Sequence, residues 1–120
     1  MKILAIIPAR GGSKGIIGKN LFPINGKPLL YYTASACLNS NLVNRTIVST
    51  NDTQISKVAK QIGAEVIMRP KSLSTDTSSI EPVLKQVLDY LKNKEKYIPD
   101  IIILPDTIIL PDEIILNLNF

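Results

Sequence analysis

Apolar residues along this chain alternate between short solid runs and helical spacings. Ile3–Pro8 is a solid run that stops at a glycine-rich turn, which predicts a strand buried on both faces, as in a parallel sheet. Residues 9–27 read as a long polar loop holding Gly11, Gly12, Gly15, Gly18 and Gly26. Pro28 then suits the first turn of a helix whose inner face is Leu29, Leu30, Thr33, Ala36 and Cys37. Thr46–Ser49 is β-branched up to its last residue and reads as a second strand. Asn51 or Asp52 can cap the helix that follows, where Ile55, Val58, Ala59 and Ile62 recur at i, i+3, i+4 and i+7. Gly63 ends it, Glu65–Met68 is a third strand, and Arg69-Pro70 terminates that strand. Beyond the loop at 71–77, Ile80, Val83, Leu84, Val87, Leu88 and Leu91 mark the clearest helix, and Ile101–Leu104 a fourth strand.

The order β-α-β-α-β-α-β predicts an α/β fold with an open parallel sheet. Right-handed crossovers gather the loops at the carboxyl ends of the strands, where such sheets bind ligands. The polar loops 9–27 and 69–79 are both expected there. The end of the chain is different: Ile102-Ile-Leu-Pro-Asp106 recurs as Ile108-Ile-Leu-Pro-Asp112, and Ile114-Ile-Leu116 begins a third round. That is too few rounds for a solenoid. The reading is an α/β unit over 1–104 and an atypical apolar tail over 105–120, expected to pack poorly and to favour aggregation.

Charge sharpens this picture. Residues 1–51 carry Lys2, Arg10, Lys14, Lys19, Lys27 and Arg45 and no Asp or Glu, whereas the rest holds eight basic and ten acidic residues. A basic, glycine-rich segment without acids points to an anionic ligand. With few aromatics and no run of consecutive basic residues, it suits the phosphates of a small molecule better than a nucleic acid. The 120 residues hold no histidine and a single cysteine, Cys37, which excludes histidine chemistry, an internal disulfide framework and a thiolate metal cage. Cys37 itself lies at core spacing and is expected to be buried. Lys2 and Ile3–Ile7 make too short an apolar run for a secretion signal, and no stretch nears ~20 uninterrupted apolar residues. The expected location is the cytoplasm, with no membrane partner.

The segment Pro8-Ala-Arg-Gly-Gly-Ser-Lys-Gly-Ile-Ile-Gly-Lys-Asn20 has the make-up of a phosphate cradle. Its glycines let backbone N–H groups approach phosphate oxygens. Arg10, Lys14 and Lys19 surround them with positive charge, and Ser13 and Asn20 add neutral donors. It is no Walker A loop, since Ser13 stands where the first glycine would and Asn20 where Ser or Thr would; nor does it contain Gly-x-Gly-x-x-Gly. A solvated basic turn is the plain alternative.

As an ordered string, Ile7-Pro-Ala-Arg-Gly-Gly-Ser-Lys-Gly-Ile, Gly18-Lys-Asn-Leu and Gly26-Lys-Pro-Leu closely resemble the opening of the cytidylyltransferases that activate sialic acid and related nonulosonic acids. Ile47-Val-Ser-Thr-Asn-Asp52, Gly63-Ala-Glu-Val with Arg69-Pro70, and Leu73-Ser-Thr-Asp-Thr-Ser-Ser79 extend the resemblance in order to about residue 104. It implies a Rossmann-like open sheet of the nucleotidyltransferase type, here incomplete. It also implies magnesium-dependent transfer of CMP from CTP to a sugar acid with release of pyrophosphate.

On the same matching, Arg10 and Lys19 neutralise triphosphate charge and are the expected catalytic pair, with Lys19 at the α-phosphate. Gly11, Gly12 and Ser13 offer loop donors beside Lys14, Asn20 orients the nucleotide or reacting groups, and Arg69 and Ser78 contact the nucleotide from the second loop. Arg69 can equally cap a strand end, and Ser78 or Asp76 a helix. No residue of the chain is assigned to the metal. Two departures stand out: Ile17 replaces a usual proline, and Pro105-Asp-Thr-Ile-Ile-Leu110 replaces the usual Gln-Pro-Thr-Ser-Pro-Leu-Arg loop. The resemblance places the acidic metal pair, much of the sugar pocket and the dimerisation arm in a further half, so the chain is expected to be truncated and to lack that arm. A nucleotide-binding remnant or interaction module without turnover is the other reading.

Overall fold

A computed structural model describes residues 1–11, 19–70 and 80–105. Their elements in chain order are β1 (Ile3–Pro8), β2 (Pro23–Ile24), β3 (Lys27–Pro28), α1 (Leu29–Leu38), β4 (Arg45–Thr50), α2 (Thr53–Ile62), β5 (Glu65–Met68), α3 (Ile80–Glu95) and β6 (Ile101–Ile103). The main sheet has the order β5-β4-β1-β6 and every pairing in it is parallel. The expected α/β fold with an open parallel sheet is therefore present, and the four strands make it an incomplete one.

β1 reads as a solid apolar run because both of its faces are covered. Ala5 and Ile7 join Val48 in one cluster with Leu30, Ala34 and Cys37 of α1 and Ile55 and Ala59 of α2. Leu4 and Ile6 join Ile47 and Ile67 in a second cluster with Val87 and Leu91 of α3. The result is three layers, helices α1 and α2 on one side of the sheet and α3 on the other.

The helix ends follow their sequence signals. Asp52 caps α2 by accepting N–H bonds from Gln54 (2.8 Å) and Ile55 (3.0 Å). Gly63 closes α2 in the left-handed region at φ 112°. Pro28 is the N-cap of α1, with extended backbone, not a residue of its first turn. The inner face of α1 is Leu30, Thr33, Ala34 and Cys37; Ala34 is buried where Ala36 was expected, and Ala36 is exposed. A register of i, i+3, i+4 and i+7 from Leu30 accounts for this choice.

Two further expectations need correction. The stretch 9–27 is not a plain loop: it contains a 3-10 turn, Lys19–Leu21, and the strands β2 and β3 form a hairpin. Asn25 (φ 51°) and Gly26 (φ 82°) both take positive φ at the hairpin tip, the demand of a type I′ turn. The fourth strand spans Ile101–Ile103 rather than reaching Leu104, and all three of its residues are exposed. It pairs with β1 along one edge only, and neither core cluster includes it.

Away from the carboxyl ends of the strands, Arg45 ties three elements together. Its guanidinium pairs with Glu65 of β5 and Glu95 of α3 (3.0 Å) and lies 4.6 Å from the Tyr97 ring centroid. Hydrogen bonding to Glu65 holds the Arg45 pKa above its ordinary value. This network fastens the end of the sheet opposite the polar loops. The repeat-bearing tail from 106 onward lies outside the described residues.

Candidate active site

The carboxyl ends of β1, β4 and β5 are joined by backbone bonds that run past the strands themselves. Ala9 N–H donates to Ser49 C=O (2.9 Å), and Arg69 N–H donates to Thr50 C=O (2.9 Å). These two bonds bring the start of each polar loop to the same edge of the sheet. The expected convergence of Arg10 and Arg69 follows from them.

Arg69 is 8% exposed. Its pKa is pushed down, first by burial and then by the positive charge of Arg10. Arg69 is thus a largely desolvated cation that feels the positive charge of Arg10.

The chain around Arg10 is fixed on both sides. Its own carbonyl accepts a hydrogen bond from Asn20 Nδ2 (3.2 Å), and Gly11 N–H donates to Asn51 Oδ1 (3.0 Å). Asn20 is 2% exposed, and its buried Oδ1 has no hydrogen-bond partner among the described residues. A buried amide oxygen in that state costs free energy unless a donor reaches it. Lys19 and Asn20 open the 3-10 turn, which stands against α1 and is extended by a bond from Phe22 N–H to Lys19 C=O (3.2 Å).

Arg10, Gly11, Lys19, Asn20 and Arg69 thus have described positions; the Arg10 carbonyl is bonded to Asn20, and the Arg10 charge reaches Arg69. Gly12, Ser13, Lys14 and Ser78 lie outside the described residues. Gly11 serves differently from the role expected of it. Its amide is engaged by Asn51, and a Cβ on it would stand 2.6 Å from Asp52 Oδ2. Close approach to the β4–α2 turn is what requires glycine there. Asn51 and Asp52 were legible in the sequence as helix-capping candidates and as the end of the Ile47–Asp52 motif, with no signal linking them to the first loop.

Among the described residues, no three Asp, Glu, Cys or His side chains come together as metal ligands. Asp52 stands beside the loop, but its Oδ1 is committed to the α2 cap. No described helix is long and apolar enough to cross a membrane.

The family model for cytidylyltransferase matches residues 4–115. The chain belongs to the cytidylyltransferase family. It is 41% identical over 96 residues to an N-acylneuraminate cytidylyltransferase of Escherichia coli, a match covering 80% of this chain and 23% of that protein. It is 39% identical over 105 residues to a CMP-N,N'-diacetyllegionaminic acid synthase of Legionella pneumophila, covering 87% of this chain and 45% of that one. Among solved structures it is similar to CMP:2-keto-3-deoxy-manno-octonic acid synthetase complexed with CTP, with a TM-score of 0.74 and 27% identity over 99% of this chain and 46% of that one. This cytidylyltransferase chain spans less than half the length of each of these proteins.

Proposed function

We propose that this chain binds CTP at the carboxyl ends of β1, β4 and β5 and serves transfer of CMP to a sialic-acid-like nonulosonic acid. The observation that carries this reading is the convergence of Arg10 with the buried Arg69 in a cytidylyltransferase fold. In the reaction, the anomeric hydroxyl of the sugar attacks the α-phosphorus; one P–O bond forms, another breaks, and pyrophosphate leaves. Such a displacement gains most from positioning and charge stabilisation.

Arg10 and Lys19 are the proposed catalytic residues. Arg10 neutralises the triphosphate with its planar fork, and Lys19 supplies a mobile charge at the α-phosphate as negative charge grows there. Asn20, anchored through Nδ2 to the Arg10 carbonyl, offers its unpartnered Oδ1 to a donor of the nucleotide or of the reacting groups. Arg69 holds the nucleotide from the β5 side. Gly12, Ser13, Lys14 and Ser78 complete the proposed contacts.

Magnesium belongs to this proposal as an ion that travels with CTP, and no step is assigned to it here. The cytoplasm is the proposed location. The sugar acid is proposed only as a class, because the relatives named above act on different acids. Pyrophosphate release from CTP and magnesium, assayed with several nonulosonic acids, tests the reading. Release dependent on one of these acids supports it. Because the chain spans under half of its relatives, a second reading is binding alone. Protection by CTP without any release favours that reading.

A further inference from the structure

Gly11 and the β4–α2 turn touch in a way that capping of α2 does not require. Asp52 already satisfies the helix through Oδ1, and its own N–H is taken by Thr50 Oγ1 (3.1 Å). Its Oδ2, Cβ and Cγ nevertheless lie 2.6, 2.9 and 3.1 Å from the point where a Gly11 Cβ would stand. Asn51, one residue earlier, receives the Gly11 amide at 3.0 Å. Arg10 therefore sits between Ala9, whose N–H is bound to Ser49, and Gly11, whose N–H is bound to Asn51.

We infer that Asn51 is a positioning residue for the anion-binding arginine: through the Gly11 amide it sets the direction in which the chain leaves β1, and with it the placement of Arg10. The inference rests on the nucleotide reading given above. Asn51 touches no reacting atom; it acts through Gly11. The Gly11 amide is spent on orientation. Asp52 packs against Gly11 from the β4–α2 turn and leaves no room for a side chain there.

The test uses the full chain and two variants of similar size. Asn51→Leu removes the acceptor, and Asn51→Asp keeps it. Hydrogen exchange at the Gly11 amide, calorimetric affinity for CTP with magnesium, and the thermal midpoint are measured for each. The leucine variant is expected to exchange Gly11 faster and to bind CTP roughly 5-fold more weakly, the scale of one ordinary hydrogen bond. Its thermal midpoint should stay near that of the wild type. The aspartate variant should restore the protection and most of the affinity.

A leucine variant with wild-type affinity, or with wild-type exchange at Gly11, overturns the inference. If leucine prevents folding, Asn51→Ala gives the same comparison. A wild-type chain that takes up no CTP sinks the nucleotide reading instead, and Gly11 exchange then decides alone whether Asn51 holds the turn.

Discussion

Arg10 and Arg69 approach each other because two backbone bonds beyond the strand ends, Ala9 to Ser49 and Arg69 to Thr50, register the loops they begin. The cost of holding like charges together falls on Arg69, whose burial already disfavours its charged form. Lys19 is the residue proposed to act at the reacting phosphorus. Lys19→Ala should lower pyrophosphate release by roughly 10²-fold or more, the scale for losing a preorganised charge-stabilising group, and leave the thermal midpoint unchanged. Equal turnover in the variant removes Lys19 from the chemistry. Gly11 is a different kind of residue, since its contribution is the absence of a Cβ. With Asp52 at 2.6 Å, Gly11→Ala should cost about 1–3 kcal/mol of stability, measured by urea unfolding. A variant as stable as the wild type would show that the turn opens freely.

Among the elements, α1 shows how burial tunes a group the site does not use. Cys37 packs in the cluster with Leu30, Ala34 and Val48, and burial raises its thiol pKa. The folded thiol holds its proton more tightly than the unfolded one. Its contribution to stability is thus complete below the ordinary thiol pKa and is lost as pH rises through the folded value. Stability should fall on the alkaline side, and a thiol reagent should modify Cys37 only as the chain unfolds; rapid labelling of the native protein would contradict this. The strands β1, β4 and β5 and the helices α2 and α3 were legible in the sequence, because each has a solid apolar run or a strong helical period bounded by Gly, Pro or a cap. α1 was legible as a helix, with Leu30, Thr33 and Cys37 of its buried face but not Ala34, since alanines at 34 and 36 look alike until packing chooses one. The β2–β3 hairpin was hidden inside a stretch read as loop, although Asn25-Gly26 carries the turn signal; two-residue strands offer no alternation to notice. For the candidate site, Arg10, Lys19, Asn20 and Arg69 were legible from the ordered motifs. The part played by Asn51 was not, because a contact across forty residues leaves no local trace.

For the molecule as a whole, the sheet is closed by helices over β1, β4 and β5 and open at β6. Ile101 and Ile103 share the face of β1 that bears Ala5, yet no described helix covers them there, and Ile102 borders a groove of about 220 Å³ with Leu88 and Tyr97. An exposed apolar edge strand invites pairing between chains. Light scattering should therefore rise with protein concentration, and Ile103→Lys should suppress the rise; scattering unaffected by the substitution would place the sticky surface elsewhere. The basic edge at the carboxyl ends of the strands, by contrast, is the proposed phosphate site. The most direct test of that claim is a CTP titration with magnesium followed residue by residue through backbone amide resonances. The account predicts shifts concentrated at Arg10, Gly11, Lys19, Asn20 and Arg69. Shifts confined to other parts of the sheet, or none at saturating nucleotide, would contradict it.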